Sequence, residues 1–462
     1  MIEYDFKNQE IADIVNSMII YAASKGASDM HFDPREEGIC VRLRIDGILQ
    51  DHTIVPTTYQ RNLVTRIKLI SNMNITESRL PQDGAIKGNI NGIDLDMRVS
   101  SLNTNLGEKI VIRLLDYSQS VNGLESLGFS EKNLQKIKKM ISVPNGIILI
   151  TGATGSGKST TVYTMLQTLN TKDTNIITVE DPIEMNIEGI NQVQVNSEIG
   201  LTFGRVLRSI LRQDPNIILI GEIRDTETAQ IAVRASITGH LVFSTIHTNN
   251  SLTTIERLLD MNVERYLLSS ALTGIVSQKL ARRLCPKCKK LRNTTNYEKQ
   301  IFKKILNKDV NEIYDVGEEH CEECRNGYKG RIAVQEVLLI DDFLRDAINK
   351  EDLPREELRK LVYTDQVTTL LQDGLEKVCE GITSFNEIYK LIEIDDELDS
   401  HYDTELINTS ESTNTISQNI DNAIIEEDNQ ETINTNSNNT EELNNNEYSQ
   451  NTEVLDLGLL KQ

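Results

Sequence analysis

Hydrophobic positions change their spacing as the chain proceeds. Residues 10–25, EIADIVNSMIIYAASK, set Ile11, Ile14, Val15, Met18, Ile19 and Ala22 at helical spacing, which predicts an amphipathic helix packed on its own domain. Residues 38–51, GICVRLRIDGILQD, alternate apolar with charged residues, and Asp46-Gly47 divides them into the arms of a hairpin. A second helix is expected over 59–73. Strand patterns follow in AIKGNINGIDLDMRVSSL, with a turn at Asn91-Gly92, and in KIVIRLLD. Residues 1–117 therefore read as one α+β domain and 118–128 as a linker.

From Phe129 the pattern changes. GIILIT, NIITVED, NIILIGEI and LVFSTIH are short, continuous apolar runs separated by helical stretches. Continuous apolar runs fit strands covered on both faces, as in the parallel sheet of a doubly wound α/β core, here spanning 129–284. A polar insert bracketed by two cysteine pairs occupies 285–330. RIAVQEVLLI opens a further segment, 331–395, expected to be helical through Lys390. From residue 396 the chain is Asn, Thr, Ser, Glu and Asp, with little to bury, which predicts a disordered acidic tail over 396–462. Its last residues, VLDLGLLKQ, are either a docking peptide or a loose terminus. No internal repeat is present.

Composition sharpens this picture in three ways. The net charge is −22, and the 16 acidic residues and one lysine from Asp396 onward account for −15 of it, leaving −7 for the rest. The folded part therefore lacks the overall basic footprint of a nucleic-acid-binding protein. No apolar run approaches the length of a membrane span, and the N-terminus MIEYDFKNQE is no secretory signal, so a cytoplasmic protein is expected. Four of the six cysteines form two CxxC pairs, which without a signal peptide favours metal over disulfides.

The chemistry-bearing motifs begin with GATGSGKS, residues 152–159, between an apolar strand and a helical stretch. Its glycines let backbone N–H groups close around phosphates, Lys158 reaches the β- and γ-phosphates, and Ser159 coordinates Mg²⁺. NIILIGEIRD ends a strand in Glu222, a carboxylate placed to hold Mg²⁺ or orient water. ITVEDPIE clusters Glu180, Asp181 and Glu184 where Pro182 stops a strand; they are either solvated acids or ligand-side groups that polarise water. His240 and His247 flank the strand LVFSTI; His247, at the ligand-bearing end, is either a phosphate sensor or a satisfied structural histidine, and His240 reads as structural. Cys285, Cys288, Cys321 and Cys324, two C-x₂-C knuckles with 32 residues between them, supply a full tetrahedral set for structural Zn²⁺. Lys287, Lys289, Lys290 and Arg292 would ease thiolate formation there; His320 is a spare ligand, and Cys40 and Cys379 read as buried. Arg98 and Arg113 lie on N-terminal strands, while Arg205, Arg208 and Arg212 share one helical face that is either catalytic or merely solvated.

NIITVEDPIE, GLTFGRVLRSILRQDPNIILIGEIRD and TGHLVFSTIHTN follow the phosphate loop in the order Asp box, Walker B, His box, and resemble the motifs of the type II secretion and type IV pilus assembly ATPases. ASDMHFDPREEGICVRLRIDGIL and RLPQDGAIKGNINGIDLDMRVSSL are similar to the same family, so the likeness spans residues 10–390. The resemblance implies an α/β fold with a RecA-like P-loop NTPase core, a PAS-like N-terminal α+β domain and a tetracysteine zinc module. It also implies a homo-oligomer, a hexameric ring, that hydrolyses ATP with Mg²⁺ between its two domains. The work would drive an inner-membrane platform protein that adds pilin subunits, placing the chain peripherally at the inner face of the cytoplasmic membrane without direct nucleic-acid contact.

Carried over by motif, Gly152, Thr154, Gly155, Ser156, Gly157, Lys158, Ser159 and Thr160 cradle the phosphates, joined by Asp181 and His240. Glu184 activates water with Glu180 in support, Glu222 and Ser159 serve Mg²⁺, His247 completes the His box, and Arg98 and Arg113 reach toward the γ-phosphate. Assembly and secretion members carry the four cysteines and retraction members lack them, so extension is expected. A competence pseudopilus motor for DNA uptake, a retraction ATPase and a nucleic-acid translocase are the alternatives. The extra amino-terminal docking domain of many relatives is expected to be absent, and the acidic tail has no counterpart in the family.

Overall fold

The computed structural model describes residue 2 and residues 4–90, 93–115, 123–321, 324–351 and 353–393; for 87–90, 93–96, 115, 392 and 393 it describes the backbone alone. The Asn91-Gly92 turn, the first part of the 118–128 linker and the acidic tail lie outside the described residues.

In the N-terminal domain, α1 (Ile11–Ser24) buries Ile14, Val15, Met18, Ile19 and Ala22, the stripe set by its periodicity. Six strands follow, β1 (Ala27–Arg35), β2 (Gly38–Ile45), β3 (Ile48–Pro56), β4 (Gln82–Ile90), β5 (Ile93–Thr104) and β6 (Gly107–Leu115), with α2 (Thr57–Ile70) between β3 and β4. They form one antiparallel sheet in the order β3-β2-β1-β6-β5-β4. Both helices pack on one face of it, over Met30, Phe32, Leu43, Met97, Val99, Ile110 and Ile112. The Asp46-Gly47 hairpin forms as expected: both residues take positive φ, 50° and 86°, the twist a two-residue β-turn requires. The apolar–polar patterns above do not mark β1, which has only two large apolar residues, Met30 and Phe32, yet it is a central strand.

The second domain is a seven-stranded sheet in the order β15-β12-β7-β11-β10-β8-β9. Its strands are β7 (Gly146–Thr151), β8 (Ile176–Glu180), β9 (Asn191–Gln194), β10 (Ile217–Ile220), β11 (Leu241–Ile246), β12 (Leu272–Leu284) and β15 (Tyr328–Leu339). All pairs are parallel except β12 with β15. Every residue of β7, β8, β10 and β11 is buried, as their continuous apolar runs predict. On β7, Ile147 and Leu149 face one core, and Ile148 and Ile150 the other. Helices α3 (Glu131–Ile141) and α4 (Lys158–Leu169) cover one face. The other face carries α5 (Phe203–Ile210), α6 (Thr226–Ile237), α7 (Ser251–Asp260), α8 (Arg265–Ala271), α10 (Asp342–Asn349) and α11 (Arg355–Val362).

Between β12 and β15 the chain leaves the sheet to form β13 (Lys289–Asn293), α9 (Asn296–Leu306) and β14 (Glu312–Val316), with β13 and β14 antiparallel. The start of the expected helical segment, residues 331–339, is strand instead. It pairs with β12 from Arg331↔Arg282 to Leu339↔Gly274, because its apolar run can complete the sheet edge. Helices α12 (Leu370–Cys379) and α13 (Phe385–Glu393) close the described chain. Among the described residues no helix is long and apolar enough to cross a membrane. Cys40 is buried as expected, but Cys379, at the exposed end of α12, is not.

Gly38 opens β2 at φ 139°, and a Cβ there would stand 2.0 Å from the Val55 carbonyl oxygen. Gly38→Ala is therefore expected to destabilise the N-terminal domain by about 2–4 kcal/mol, read as a lowered urea midpoint. An unchanged midpoint would contradict this packing.

Candidate active site

The phosphate loop lies between the end of β7 and the start of α4. Gly152, Gly155 and Gly157 hold φ of 146°, 79° and 86°, a backbone path that L side chains resist. At Gly152 a Cβ would fall 2.4 Å from the Gln278 carbonyl oxygen. Lys158 Nζ donates to the carbonyls of Gly152 (2.8 Å) and Ala153 (3.0 Å), so the ammonium bends back over the loop. Its burial pushes its pKa down, while the charges of Glu222 and Glu184 push it up. Ser156 Oγ is buried with no hydrogen-bond partner. A helix N-terminus, an ammonium and an unpartnered hydroxyl on one loop form a donor set that fits phosphate groups.

Sequence reasoning did not single out Gln278, buried on β12. Its Nε2 donates to the Ser156 carbonyl (2.7 Å), and its Oε1 accepts from Thr161 Oγ1 (2.8 Å). One side chain thus ties the loop to the helix that follows it. Only the β12–β7 pairing brings it there.

β8 delivers the acids, which sit in different surroundings. Glu180 is 3% exposed. It accepts from Thr178 Oγ1 (2.6 Å), Gln192 Nε2 (3.0 Å) and the Tyr163 hydroxyl. Tyr163 belongs to α4 and its oxygen also accepts from the Glu184 N–H at 3.2 Å. Glu184 is half-buried on the loop after β8, and exposed Asp181 precedes Pro182. Arg98, from β5 of the N-terminal domain, donates to the Ile183 carbonyl at 2.7 Å. The two domains therefore meet at the residue before Glu184.

β10 and β11 deliver Glu222 and His247. Glu222 pairs with Arg224 at 2.5 Å, and His247 Nε2 stands 3.6 Å from its other oxygen, too far for a hydrogen bond. Desolvation and the Lys158 charge hold the His247 pKa below its usual value, which favours the neutral imidazole at pH 7. Thr151, at the end of β7, donates to the Thr248 carbonyl (2.6 Å) and accepts the Thr248 N–H (3.1 Å), anchoring the segment beside His247 to the strand that feeds the phosphate loop.

The four cysteines of the insert gather with their sulfurs within 4.8 Å of one another. Cys285 and Cys321 Sγ lie 3.7 Å apart, and Cys288 and Cys324 Sγ 3.5 Å. Four thiolates about 2.3 Å from a tetrahedral zinc would stand roughly 3.8 Å apart, so the set fits such an ion. Asn326 and Gly327, both at positive φ (45° and 76°), turn the chain after the second knuckle, and the Gly327 carbonyl accepts the Cys285 N–H at 2.7 Å.

With this geometry in place, the comparisons decide the family. The profile described as type II/IV secretion system protein matches residues 5–390. The chain belongs to this family. It is 42% identical over 382 residues to the type II secretion system ATPase E of Vibrio cholerae, covering 82% of this chain and 75% of that one. It is 43% identical over 383 residues to the type IV pilus assembly ATPase PilB of Thermus thermophilus, covering 81% of this chain and 42% of PilB. The structure of the Legionella pneumophila ATPase DotB matches with a TM-score of 0.63 at 22% identity, over 84% of this chain and 98% of that one, which places the mixed α/β fold.

In this secretion-family chain the phosphate loop, Glu180, Asp181, Glu184, Glu222 and His247 follow the same ends of the parallel strands, Arg98 reaches the Glu184 loop from the other domain, and several other sequence candidates lie elsewhere. His240 precedes β11, at the strand end opposite the phosphate loop, where Nδ1 lies 2.9 Å from the Ala235 carbonyl. The buried six-residue strand β11 lies between it and His247. Arg113 bonds Asp29 at 2.9 Å rather than the Glu184 loop. Arg208 pairs with Glu227, Arg205 and Arg212 bond local carbonyls, and all three are solvated. Near the cysteines, Lys289 donates to the Gly381 carbonyl and Arg292 pairs with Glu298 and Asp315.

Gln278→Leu keeps the side-chain bulk and removes its bonds to the loop and to α4. It is expected to raise the KM for ATP about tenfold, with a smaller change in kcat. A KM at the wild-type value would show that the loop holds its shape without Gln278.

Proposed function

We propose that this ATPase is the motor that powers assembly of a type IV pilus or a type II secretion pseudopilus. One observation carries the reading: the parallel strands bring Lys158, Glu184, Glu222 and His247 to one edge, and Arg98 of the other domain bonds the loop that holds Glu184. In the reading, ATP and water yield ADP and phosphate. Glu184 takes a proton from the attacking water, while Glu180 holds the loop beside it. Lys158 and Arg98 oppose the charge on the γ-phosphate, and Arg113 joins them if it leaves Asp29. Ser159 and Glu222 would hold Mg²⁺, which neutralises phosphate charge. His247 reports on the occupied site, since its neighbour Glu222 would turn toward the metal.

The reading extends to a RecA-like core, a PAS-like N-terminal domain and the segment boundaries drawn from the sequence. It includes a hexameric ring acting on an inner-membrane platform protein, and peripheral attachment at the cytoplasmic face. Relatives named as a secretion ATPase and a pilus assembly ATPase support it. The cysteine set is read as a structural zinc site, since all four ligands would come from the protein.

Glu184→Gln is expected to lower ATP turnover by about a hundredfold or more while nucleotide binding persists, and to abolish surface filaments or secretion in cells. Filaments that survive without hydrolysis would overturn the motor reading. Elemental analysis of the purified protein is expected to find one zinc per chain, lost on paired replacement of Cys288 and Cys324 by Ser; a wild-type protein without zinc would overturn the metal reading.

A further inference from the structure

Three acids approach the site, yet the surroundings of Glu180 separate it from the others. Both its oxygens are buried and hydrogen-bonded, to Thr178, Gln192 and Tyr163. What it holds is informative. Tyr163 lies five residues after Lys158 on α4, and its ring packs in the core with Met165 and Leu166. Its hydroxyl donates to Glu180 and accepts the N–H of Glu184. Gln192, on β9, grips the same loop further on: Nε2 also donates to the Met185 carbonyl (2.9 Å), and Oε1 accepts the Ile187 N–H (2.8 Å).

We infer that Tyr163 is a positioning residue for hydrolysis: its hydroxyl, oriented by Glu180, fixes the main chain at Glu184 relative to the helix that begins with Lys158. The phosphate loop and the acid loop then share one rigid scaffold, and neither can shift without breaking the Tyr163 bond. A Tyr hydroxyl serves here because it donates once, to the buried carboxylate, and still accepts from a main-chain N–H. Glu180 is the anchor of this arrangement and takes no proton from water. The inference rests on Glu184 as the group that activates water.

Tyr163→Phe keeps the ring and deletes only the bridging oxygen. Displacement of a general base from its attack geometry is expected to lower kcat about tenfold, with KM and the affinity for a non-hydrolysable ATP analogue unchanged. Because Tyr163 acts through Glu184, adding Tyr163→Phe to Glu184→Gln is expected to cause no further loss. Gln192→Leu, which releases the same loop from the other side, is expected to lower kcat in the same way and serves if Tyr163→Phe does not fold. Wild-type kcat in a folded Tyr163→Phe overturns the inference, as does wild-type kcat in Gln192→Leu where Tyr163→Phe does not fold, a kcat loss that follows analogue affinity, or a full additive loss in the double variant. Glu184→Gln is measured alone first: if it turns over at the wild-type rate, the role of Glu184 fails and this inference with it, whereas an inactive Glu184→Gln beside an unimpaired Tyr163→Phe removes the Tyr163 role only.

Discussion

The site depends on the register of parallel strands around β7. Thr151 stands opposite Ile246 of β11 on one side and Ser277 of β12 on the other, and Ile220 of β10 stands opposite both Ser244 of β11 and Val179 of β8. Strands aligned in this way end together, so the phosphate loop, Glu180, Glu222 and His247 emerge along one edge. Opposite faces of β7 feed two separate cores, Ile147 and Leu149 on one side and Ile148 and Ile150 on the other. Gln278, the residue after Ser277, then meets the loop at Ser156 because no other register would carry it there.

Along that edge three carboxylates of the same type take different parts. Glu180 is buried and bonded by three side chains, an arrangement that holds structure. Glu222 is paired with Arg224 and close to His247, a balanced charge that a cation would redistribute. Glu184 has its backbone fixed and its carboxyl near the cleft, where it acts on Lys158. In the proposed function, environment rather than residue type separates support, metal holding and proton transfer.

The same logic explains why one arginine of the N-terminal domain crosses to the nucleotide domain and another does not. Arg98 and Arg113 stand directly opposite one another on β5 and β6, a like-charge pairing that is unfavourable unless relieved. Asp29, opposite Arg113 on β1, pairs with it, and Arg44 of β2 approaches the other oxygen of the same carboxylate. Arg98 instead spends its donor on the Ile183 carbonyl, beside Glu184. A second contact, from the Gly330 N–H to Asp46 at the hairpin tip, joins this domain to the start of β15.

The sequence by itself determined the elements and much of the chemistry. Continuous apolar runs marked the parallel strands, Asp46-Gly47 marked the hairpin, and GATGSGKS, GEIRD and the cysteine pairs marked groups whose function depends on local spacing. These signals survive without tertiary context because they are enforced within a few residues, by glycine dihedrals, by strand periodicity and by ligand geometry. Only the tertiary structure decided the rest. β1 carries too few apolar residues to show its central place, and RIAVQEVLLI reads as strand only once β12 offers it an edge. His240 and His247 flank one strand, and the fold sets them at its opposite ends, with Nδ1 of His240 beside the Ala235 carbonyl and His247 beside Glu222. Tyr163, Gln192 and Gln278 are ordinary residues in their own segments. They become part of the site through hydrogen bonds between elements far apart in sequence, which no local pattern encodes.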